Sequence, residues 1–379
     1  MFSTKDFRLN IKNIPGFRTK KKIVIIESDD WGSVNMSSND AYNKLTYLGF
    51  DFTNNHFLNY DCLESNEDME LLFEVLSKHK DSTGRVPVMT GVNVVANPDF
   101  IKIKENDYSR YEYELFTETC KKYRGRERVY DFWKEGIEKR LFVPVFHGRE
   151  HLNVQRWMKL LKNNDKTIHS IFEYGVPFVN KSLYREKMPN VRAAFDIDNV
   201  RDISYLKEVI QTGLDLFETL YGYRTRFFVP PNGPFNNSLE KDLFQNGIKY
   251  ISTAKKQLEP LGNNKYRTNC RFIGKKNHLG QLYLTRNCFF EPSSLTHQKN
   301  TDWVNNCLKE IDTAFRWKKP ATISSHRVNY VGSLKPENRG NGLNKLNQLL
   351  SQIIKKWSEV EFMTSEELGD LISQNTEQY

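Results

Sequence analysis

A chain of 379 residues with 38% hydrophobic and 13% aromatic residues is long enough for one large α/β domain or two ordinary ones, which excludes a disordered protein. The formal net charge of +9 is scattered, with Lys20-Lys21-Lys22 as its main run, so we expect a solvated surface and no nucleic-acid partner. No 18 apolar residues run together, so we expect no transmembrane segment.

The five cysteines are odd in number and widely spaced, and none forms a CxxC pair. This pattern predicts free thiols in a reducing compartment. Residues 1–16 lack the apolar core of a signal peptide, so we expect a cytoplasmic protein. The positive charge leaves open a peripheral contact with an anionic membrane or a lipid-linked glycan, and the oligomeric state is not predicted.

The first predicted strand is the β-branched run Ile23–Ile26, which stops at two adjacent carboxylates, Asp29 and Asp30. Such a run is typical of a strand buried on both faces of a parallel sheet. Adjacent side chains at its end point in different directions, so the two aspartates can hold different roles. A turn or a helix cap is the competing interpretation of an Asp-Asp pair.

Further apolar runs alternate with amphipathic segments along the chain, which predicts an α/β fold. We expect a distorted (β/α) barrel of seven or eight mostly parallel strands. The expected boundaries are an N-terminal extension 1–20, a barrel 21–370 and a tail 371–379, with an insertion at about 99–140 and a hairpin at about 270–286. The other predicted strands are 85–95, 141–146, 192–195, 226–229, 248–251, 321–325 and 360–363.

Histidines follow two of these strands: His147 and His151 come after one, and His326 comes after another. The carboxyl ends of barrel strands meet at one face, so these side chains should lie near Asp29 and Asp30. If a helix begins at once, the spacing of four places His147 and His151 on one side, where two imidazoles and a carboxylate suit a divalent metal. Two surface histidines with this spacing also arise by chance. The other histidines are expected to be surface or satisfied loop residues: His56, His79, His169, His278 and His297.

Four motifs carry a family resemblance: Asp29-Asp30, His147-x-x-x-His151, Pro230-Pro231-Asn232-Gly233 and Ser325-His326. In this order they resemble the successive motifs of polysaccharide deacetylases of the NodB-homology type, a group like carbohydrate esterase family four. The resemblance spans about residues 22–365. It implies a distorted (β/α) barrel and the metal-dependent removal of an acetyl group from an N-acetylated sugar.

The resemblance also implies roles for single residues. Asp29 would be the general base, His326 the general acid, and the backbone N–H of Asn232 would help to bind the oxyanion. Zinc is the expected metal, with cobalt, nickel or iron as alternatives. The implied ligands of one divalent ion are Asp30, His147 and His151.

The sequence departs from the family pattern at three positions, one of which is Asn232, where the family usually has an aromatic residue. Trp31 stands between the aspartate pair and Gly32, and Val229 replaces the arginine that normally orients the base. Our hypothesis is that another arginine supplies the missing cation, and the candidates are Arg149, Arg226 and Arg327. Side chains expected to contact substrate, with core packing as the alternative for the aromatic ones, are Trp31, Arg149, Pro231, Arg327 and Tyr330.

These features predict a metal-dependent hydrolase that removes an N-acetyl group from a sugar or glycan intermediate. Amide hydrolysis needs an activated water, a charge sink and a proton for the leaving amine, and the predicted residues offer all of these. Two alternatives remain open: hydrolysis of another non-peptide C–N bond, such as a cyclic amide or amidine, and a glycan-binding protein with a relict site.

Overall fold

The computed structural model describes residues 4–181, 183, 188–295 and 301–376. His297, whose surface position was predicted above, lies outside these ranges. The strands are β1 (Lys22–Trp31), β2 (Met89–Asn93), β3 (Ala96–Pro98), β4 (Tyr113–Leu115), β5 (Phe142–Phe146), β6 (Phe227–Phe228), β7 (Tyr250–Ser252), β8 (Lys256–Gly262), β9 (Lys265–Cys270), β10 (Lys275–Lys276), β11 (Leu282–Leu284), β12 (Cys288–Phe289), β13 (Ala321–His326) and β14 (Val360–Phe362).

Helices lie between most of these strands, and two short 3-10 helices cover Asn237–Leu239 and Arg327–Asn329. The α-helices are α1 (Thr4–Ile11), α2 (Asn39–Tyr47), α3 (His56–Tyr60), α4 (Asn66–Ser77), α5 (Phe100–Glu105), α6 (Phe116–Lys122), α7 (Val129–Glu138), α8 (Val154–Lys162), α9 (Lys166–Phe172), α10 (Asp202–Tyr221), α11 (Glu240–Gln245), α12 (Trp303–Arg316), α13 (Pro336–Lys356) and α14 (Ser365–Thr376).

Ten strands form one central sheet in the order β10-β11-β7-β6-β5-β2-β1-β13-β12, with β14 also beside β1. Every pair in this sheet is parallel except β10 with β11. The predicted α/β class with a mostly parallel sheet is therefore confirmed. Within the described residues the two end strands, β10 and β12, do not pair, so the barrel is open.

The interior strand β1 is buried almost along its whole length, as its run of Ile and Val predicts. Its partner β13 is in register from Val24 opposite Ala321 to Asp29 opposite His326. Parallel pairing therefore places the ends of β1 and β13 side by side. This register brings Asp29 and His326 to the same edge of the sheet.

The structure corrects one predicted strand and adds one hairpin. Residues 192–195 form turns rather than a strand, because the buried amide of Asn153 donates to the carbonyls of Ala193 and Asp196, at 3.2 and 2.8 Å, and holds them in a loop. Antiparallel β8 and β9 form a hairpin that was not predicted. Helix α14 continues to Thr376 and so crosses the boundary expected at residue 370.

The N-terminal segment packs against the residues that precede β13. The indole N–H of Trp317 donates to Asn10, and the ammonium of Lys319 donates to the carbonyls of Pro15 and Phe17. All five cysteines are free thiols, as predicted. Among the described helices, none combines the length and the apolar character that a membrane span requires.

Candidate active site

The two adjacent aspartates reach the same cavity because β1 carries a bulge at its end. Ser28 pairs with Gly91 and Trp31 with Asn93, so β1 advances three residues while β2 advances two. The extra residue turns the chain, and Asp30 takes a left-handed conformation with φ of 76°. Bulges of this kind re-aim side chains beside functional sites. The bulge thus places the carboxylates of Asp29 and Asp30 at the cavity. It also directs the side chain of the next residue, Trp31, into the core.

Asp30 lies beside the two predicted histidines. Its Oδ1 atom is 2.9 Å from Nε2 of His151 and 3.6 Å from Nε2 of His147. The two imidazole rings are 5.0 Å apart. The structure brings these three side chains together without the helix that we expected, because α8 begins only at Val154, after the cap residue Asn153. The loop from His147 to Asn153 provides the convergence instead.

The three donors fit a divalent metal. His147 Nδ1 lies 2.7 Å from the carbonyl oxygen of Val229, to which it donates, so its Nε2 is left with a lone pair. Nε2 of His147 and Nδ1 of His151 are buried and have no hydrogen-bond partner among the described residues. Ligand atoms in a tetrahedral zinc site are about 3.4 Å apart, close to the separations found here. The orphaned Nε2 of His147, which lies 3.6 Å from Oδ1 of Asp30, is what an ion held there would satisfy.

Charge and burial favour the forms of these residues that bind metal. Burial, together with the nearby Arg192, lowers the pKa of His151 to about 4, so the ring is neutral at pH 7. Burial opposes the ionisation of Asp30, but Arg192 and the imidazoles outweigh it and hold the pKa of Asp30 well below its usual value. A neutral histidine and an ionised carboxylate are the ligand forms that metals require.

Asp29 is held by an arginine that the sequence prediction missed. Both terminal nitrogens of Arg286 donate to Asp29, each at 2.6 Å, and Nε of Arg286 donates to the buried Glu27. Burial alone would raise the pKa of Asp29, but Arg286 outweighs this effect and lowers it. Asp29 is therefore an ionised carboxylate with fixed orientation at pH 7.

This pairing corrects the hypothesis about the missing cation, because none of the three candidate arginines reaches Asp29. Arg149 pairs with Glu150, Arg226 with Glu366 and Asp370, and Arg327 with Asp61 and Glu64. Each candidate is already saturated by carboxylates on another part of the fold. Arg286 lies two residues beyond the end of β11, so the rule that polar residues at strand ends meet at one face could have identified it.

His326 is paired with a carboxylate on the side opposite the cavity. Its Nδ1 lies 2.8 Å from Glu291, which also lies 3.2 Å from Nε2 of His56. Burial lowers the pKa of His326, but Glu291 and then Asp29 outweigh it and raise the pKa to about 9. His326 is thus protonated at pH 7, and its Nε2 is 3.9 Å from Asp29. His56 is a satisfied histidine, as predicted, but it belongs to this network.

A cavity of about 460 Å³ joins these groups. Asn232 contributes to its wall and has a positive φ of 55° in the turn that follows Pro230 and Pro231. The structure therefore brings all predicted catalytic and metal-binding residues to one cavity. The described residues with polar side chains in its wall are Asp29, Asp30, His147, His151, Arg192, Asn232, Ser252, Thr253, Arg286, Ser324 and His326.

The residues predicted to contact substrate lie elsewhere, which corrects that prediction. Trp31 is fully buried, packs edge-on against Phe142 and donates to Ser28. Tyr330 is also fully buried, and its hydroxyl pairs with Ser325. The cavity wall does not include the side chains of Trp31, Arg149, Pro231, Arg327 or Tyr330.

Comparison with known proteins gives similarity of fold only. Neither a family model nor a curated relative matches the sequence. Among solved structures, a probable polysaccharide deacetylase from Pseudomonas aeruginosa PAO1 has 9% identity and a TM-score of 0.47, and covers 93% of this chain and 91% of its own. The allantoinase PuuE has 11% identity and a TM-score of 0.45, with 98% and 97% covered.

The carbohydrate deacetylase Agd3 has 10% identity and a TM-score of 0.44, with 94% of this chain and 54% of Agd3 covered. Several of the similar structures thus carry descriptions as carbohydrate or polysaccharide deacetylases. Similarity at this level does not assign an activity to this chain.

Proposed function

We propose that this protein is a divalent-metal-dependent hydrolase that removes an N-acetyl group from a sugar or glycan intermediate. The observation that carries the proposal is the cluster of Asp30, His147 and His151, with donor atoms within 4.8 Å of one another, next to an oriented carboxylate and a protonated histidine. When bound, a divalent ion acts as a Lewis acid that acidifies water and polarises a carbonyl. Zinc is the first choice for two imidazoles and one carboxylate.

Asp29 is suited to accept the proton of the attacking water. It is ionised, it lines the cavity beside Asp30, and Arg286 holds both of its oxygens. An acceptor of this kind needs fixed geometry more than high basicity, because the proton must leave as the nucleophile approaches the carbonyl carbon. Asp29 is therefore assigned as the general base.

His326 is suited to donate a proton to the leaving amine nitrogen. Its pKa of about 9 keeps it protonated at neutral pH, and Glu291 fixes the ring through Nδ1 so that Nε2 faces the cavity. Donation must come from a group that is still protonated when the C–N bond breaks. His326 is assigned as the general acid, and the backbone N–H of Asn232 is assigned to the oxyanion that develops on the carbonyl.

The substrate class follows from the size and polarity of the cavity. A volume of about 460 Å³ accommodates one sugar unit with its acetamido group, within the usual range of small-molecule sites. The free thiols support a reducing, cytoplasmic setting as part of the proposal. A biosynthetic or lipid- or nucleotide-linked glycan intermediate is the expected substrate there.

A panel assay tests this function. Purified, zinc-loaded protein is incubated with N-acetylated mono- and oligosaccharides and, separately, with cyclic amides and amidines, and the release of acetate and of ammonia is measured. We expect acetate from the N-acetylated sugars, abolished in the Asp29→Asn variant. Ammonia or ring opening without acetate would overturn the proposal in favour of another C–N bond, and no product of either kind would favour a glycan-binding role.

A further inference from the structure

The excess of positive charge is concentrated near the start of the chain. Residues 1–22 contain seven lysines and arginines and a single aspartate, a net charge of +6, whereas the whole chain carries +9. Arg8 and Lys20 are exposed, and neither has an ion-pair partner among the described residues. Lys318 is also exposed and lies beside this segment, because its carbonyl accepts from the backbone N–H of Thr19 at 2.8 Å. Part of this positive charge is therefore left for an anionic partner.

Three large apolar side chains share an exposed face of the same segment. Phe7, Ile11 and Ile14 are 64, 47 and 46% exposed. Their spacing of four and three residues places them on one side of α1 and of the turn that follows it, where the N–H of Ile14 donates to the carbonyl of Ile11 at 3.1 Å. We call these three side chains the N-terminal face, which extends for about 10 Å along the helix.

The opposite side of α1 is attached to the body of the protein. Leu9 and Asn13 are buried there. The amide of Asn287 donates to the side-chain oxygen of Asn13 at 2.9 Å, and Lys12 pairs with Glu310 at 3.3 Å. Contacts on the reverse side of the segment thus hold the N-terminal face outward.

An apolar stripe beside unpaired cations matches the surface of an anionic lipid bilayer. Apolar side chains enter the boundary between head groups and acyl chains, while neighbouring lysines and arginines attract anionic head groups. Nucleic acid would satisfy the cations but would leave the three apolar side chains in water. A second copy of the chain would cover them but would bring together two segments of net charge +6, which repel.

We propose that the N-terminal face docks this protein on the surface of a bilayer that contains anionic phospholipid. The inference goes beyond the proposed hydrolase and does not depend on it. The three apolar side chains enter the interface, and Arg8 and Lys20 attract the head groups. A single acyl chain gives only marginal, reversible membrane binding, so a contact of three side chains is also reversible. It depends on both salt and lipid composition.

Vesicle flotation tests the proposal with the full chain. The protein is mixed with vesicles of phosphatidylcholine alone or of phosphatidylcholine with about one third phosphatidylglycerol. At about 0.1 M salt we expect the partition coefficient to be about tenfold or more higher for the anionic vesicles, and to fall toward the neutral value at about 0.5 M salt because the charges are screened. Absence of binding, or equal binding to both kinds of vesicle, would overturn the proposal.

Serine at all three positions of the N-terminal face tests the apolar contribution. This triple variant keeps every charge, and because the positions are exposed, we expect it to stay folded by circular dichroism. Its binding to anionic vesicles should fall about tenfold or more. The matched control Ile101→Ser/Val200→Ser/Phe244→Ser removes similar side chains that are 60, 62 and 47% exposed elsewhere, and it should bind like the wild type. Wild-type binding by the triple variant would reduce the contact to charge alone and overturn the membrane assignment.

A pair of charge variants tests the cations. Arg8→Gln/Lys20→Gln should weaken binding to anionic vesicles about threefold or more and reduce its dependence on salt. Lys159→Gln/Lys162→Gln is the matched control, since both lysines are exposed and have no ion-pair partner among the described residues. It should bind like the wild type. Equal losses in the two double variants would assign the effect to the overall charge and contradict the location.

Fluorescence locates the contact without relying on a loss of binding. Phe7→Trp adds an indole to the N-terminal face, and Phe244→Trp adds one at a control position that is also exposed. With anionic vesicles of brominated phospholipid, we expect the added fluorescence to be quenched in Phe7→Trp and not in Phe244→Trp. Quenching in neither variant would overturn the proposal. So would a dimer of the free protein, detected by light scattering, that the triple serine variant abolishes.

Discussion

Arg286 donates hydrogen bonds to both carboxylate oxygens of Asp29, which lies 257 residues away in the chain. The same guanidinium also binds Glu27, which Ser365 and Ser252 hold in place from the other side. Asp29 is therefore oriented through a chain of buried contacts that crosses the sheet. Arg286 thus places beside Asp29 the cation that Val229 lacks, and the backbone carbonyl of Val229 accepts a hydrogen bond from His147.

Replacing Arg286 with Gln should reduce activity without abolishing folding. We expect kcat/KM to fall about 100-fold, since the base loses its fixed position. Activity requires ionised Asp29 and is lost as pH falls through its pKa. Because Arg286 lowers that pKa, its removal should move the acidic limb of the pH–rate profile to higher pH. Arg226→Gln is the control, and a similar loss in that variant would contradict the assignment.

Replacing Glu291 with Gln should change the basic limb of the pH–rate profile. The general acid must be protonated, so activity is lost as pH rises through the pKa of His326, which is about 9 in the native site. Removing the charge of Glu291 lowers this pKa, and the basic limb of kcat should move to lower pH. Glu361→Gln at the surface should leave the profile in place. An unmoved basic limb in Glu291→Gln would remove His326 from the role of acid.

The pair formed by His326 and Glu291 also makes the free energy of unfolding depend on pH. The pKa of His326 is raised above its ordinary value of 6.5, so its contribution to the free energy of unfolding is fully present below about pH 6.5 and is lost as pH rises through about 9. We expect urea unfolding of the wild type to show this loss and the Glu291→Gln variant to show a smaller one. Parallel pH dependences in the two proteins would contradict the pairing.

Arg327 should prove to be a structural residue. It is fully buried and pairs with Asp61 and Glu64, so Arg327→Met leaves two buried carboxylates unpaired. We expect a loss of about 3–5 kcal/mol in the free energy of unfolding, measured with urea. The control Arg110→Met breaks one ion pair of an exposed arginine, with Glu112, and should cost less than about 1 kcal/mol. A raised KM with unchanged stability would restore the substrate-binding role.

Trp31 should behave as a core residue in the same way. Trp31→Phe removes the indole hydrogen bond to Ser28 and some volume beside Phe142, and we expect it to cost about 1–3 kcal/mol of stability. The KM for an N-acetylated sugar should be unchanged, because the ring lies outside the cavity. An increase in KM at unchanged stability would show that the ring stacks on substrate.

Much of the site could be predicted from the sequence because parallel strands bring their carboxyl ends to one edge. Asp29, Asp30, His147 and His326 each follow an apolar run, and the structure places all four around one cavity. The helix expected after His147 is absent, because Gly148 takes a φ of 115° and the chain stays in a loop until Asn153 caps α8. The predicted convergence of His147 and His151 was right, although a loop and not a helix produces it.

The partners of these residues were harder to predict because they come from segments without periodic patterning. Glu291 follows the two-residue strand β12, which is too short to recognise in the sequence. Arg192 lies in turns. In the sequence its apolar neighbours Val191 and Phe195 made this segment resemble a strand. Trp31 was expected at the cavity because a single-residue bulge, which decides the direction of its side chain, leaves no mark in the sequence.

The central claim is that Asp30, His147 and His151 bind one divalent metal, and metal stoichiometry tests it most directly. Metal-free protein and its Asp30→Ala variant would be titrated with zinc in a calorimeter, with elemental analysis of the dialysed products. We predict one zinc per chain for the wild type and a loss of this binding in Asp30→Ala, while both proteins remain folded by circular dichroism. Wild-type protein that binds no zinc, cobalt, nickel or iron in stoichiometric amount would contradict the account.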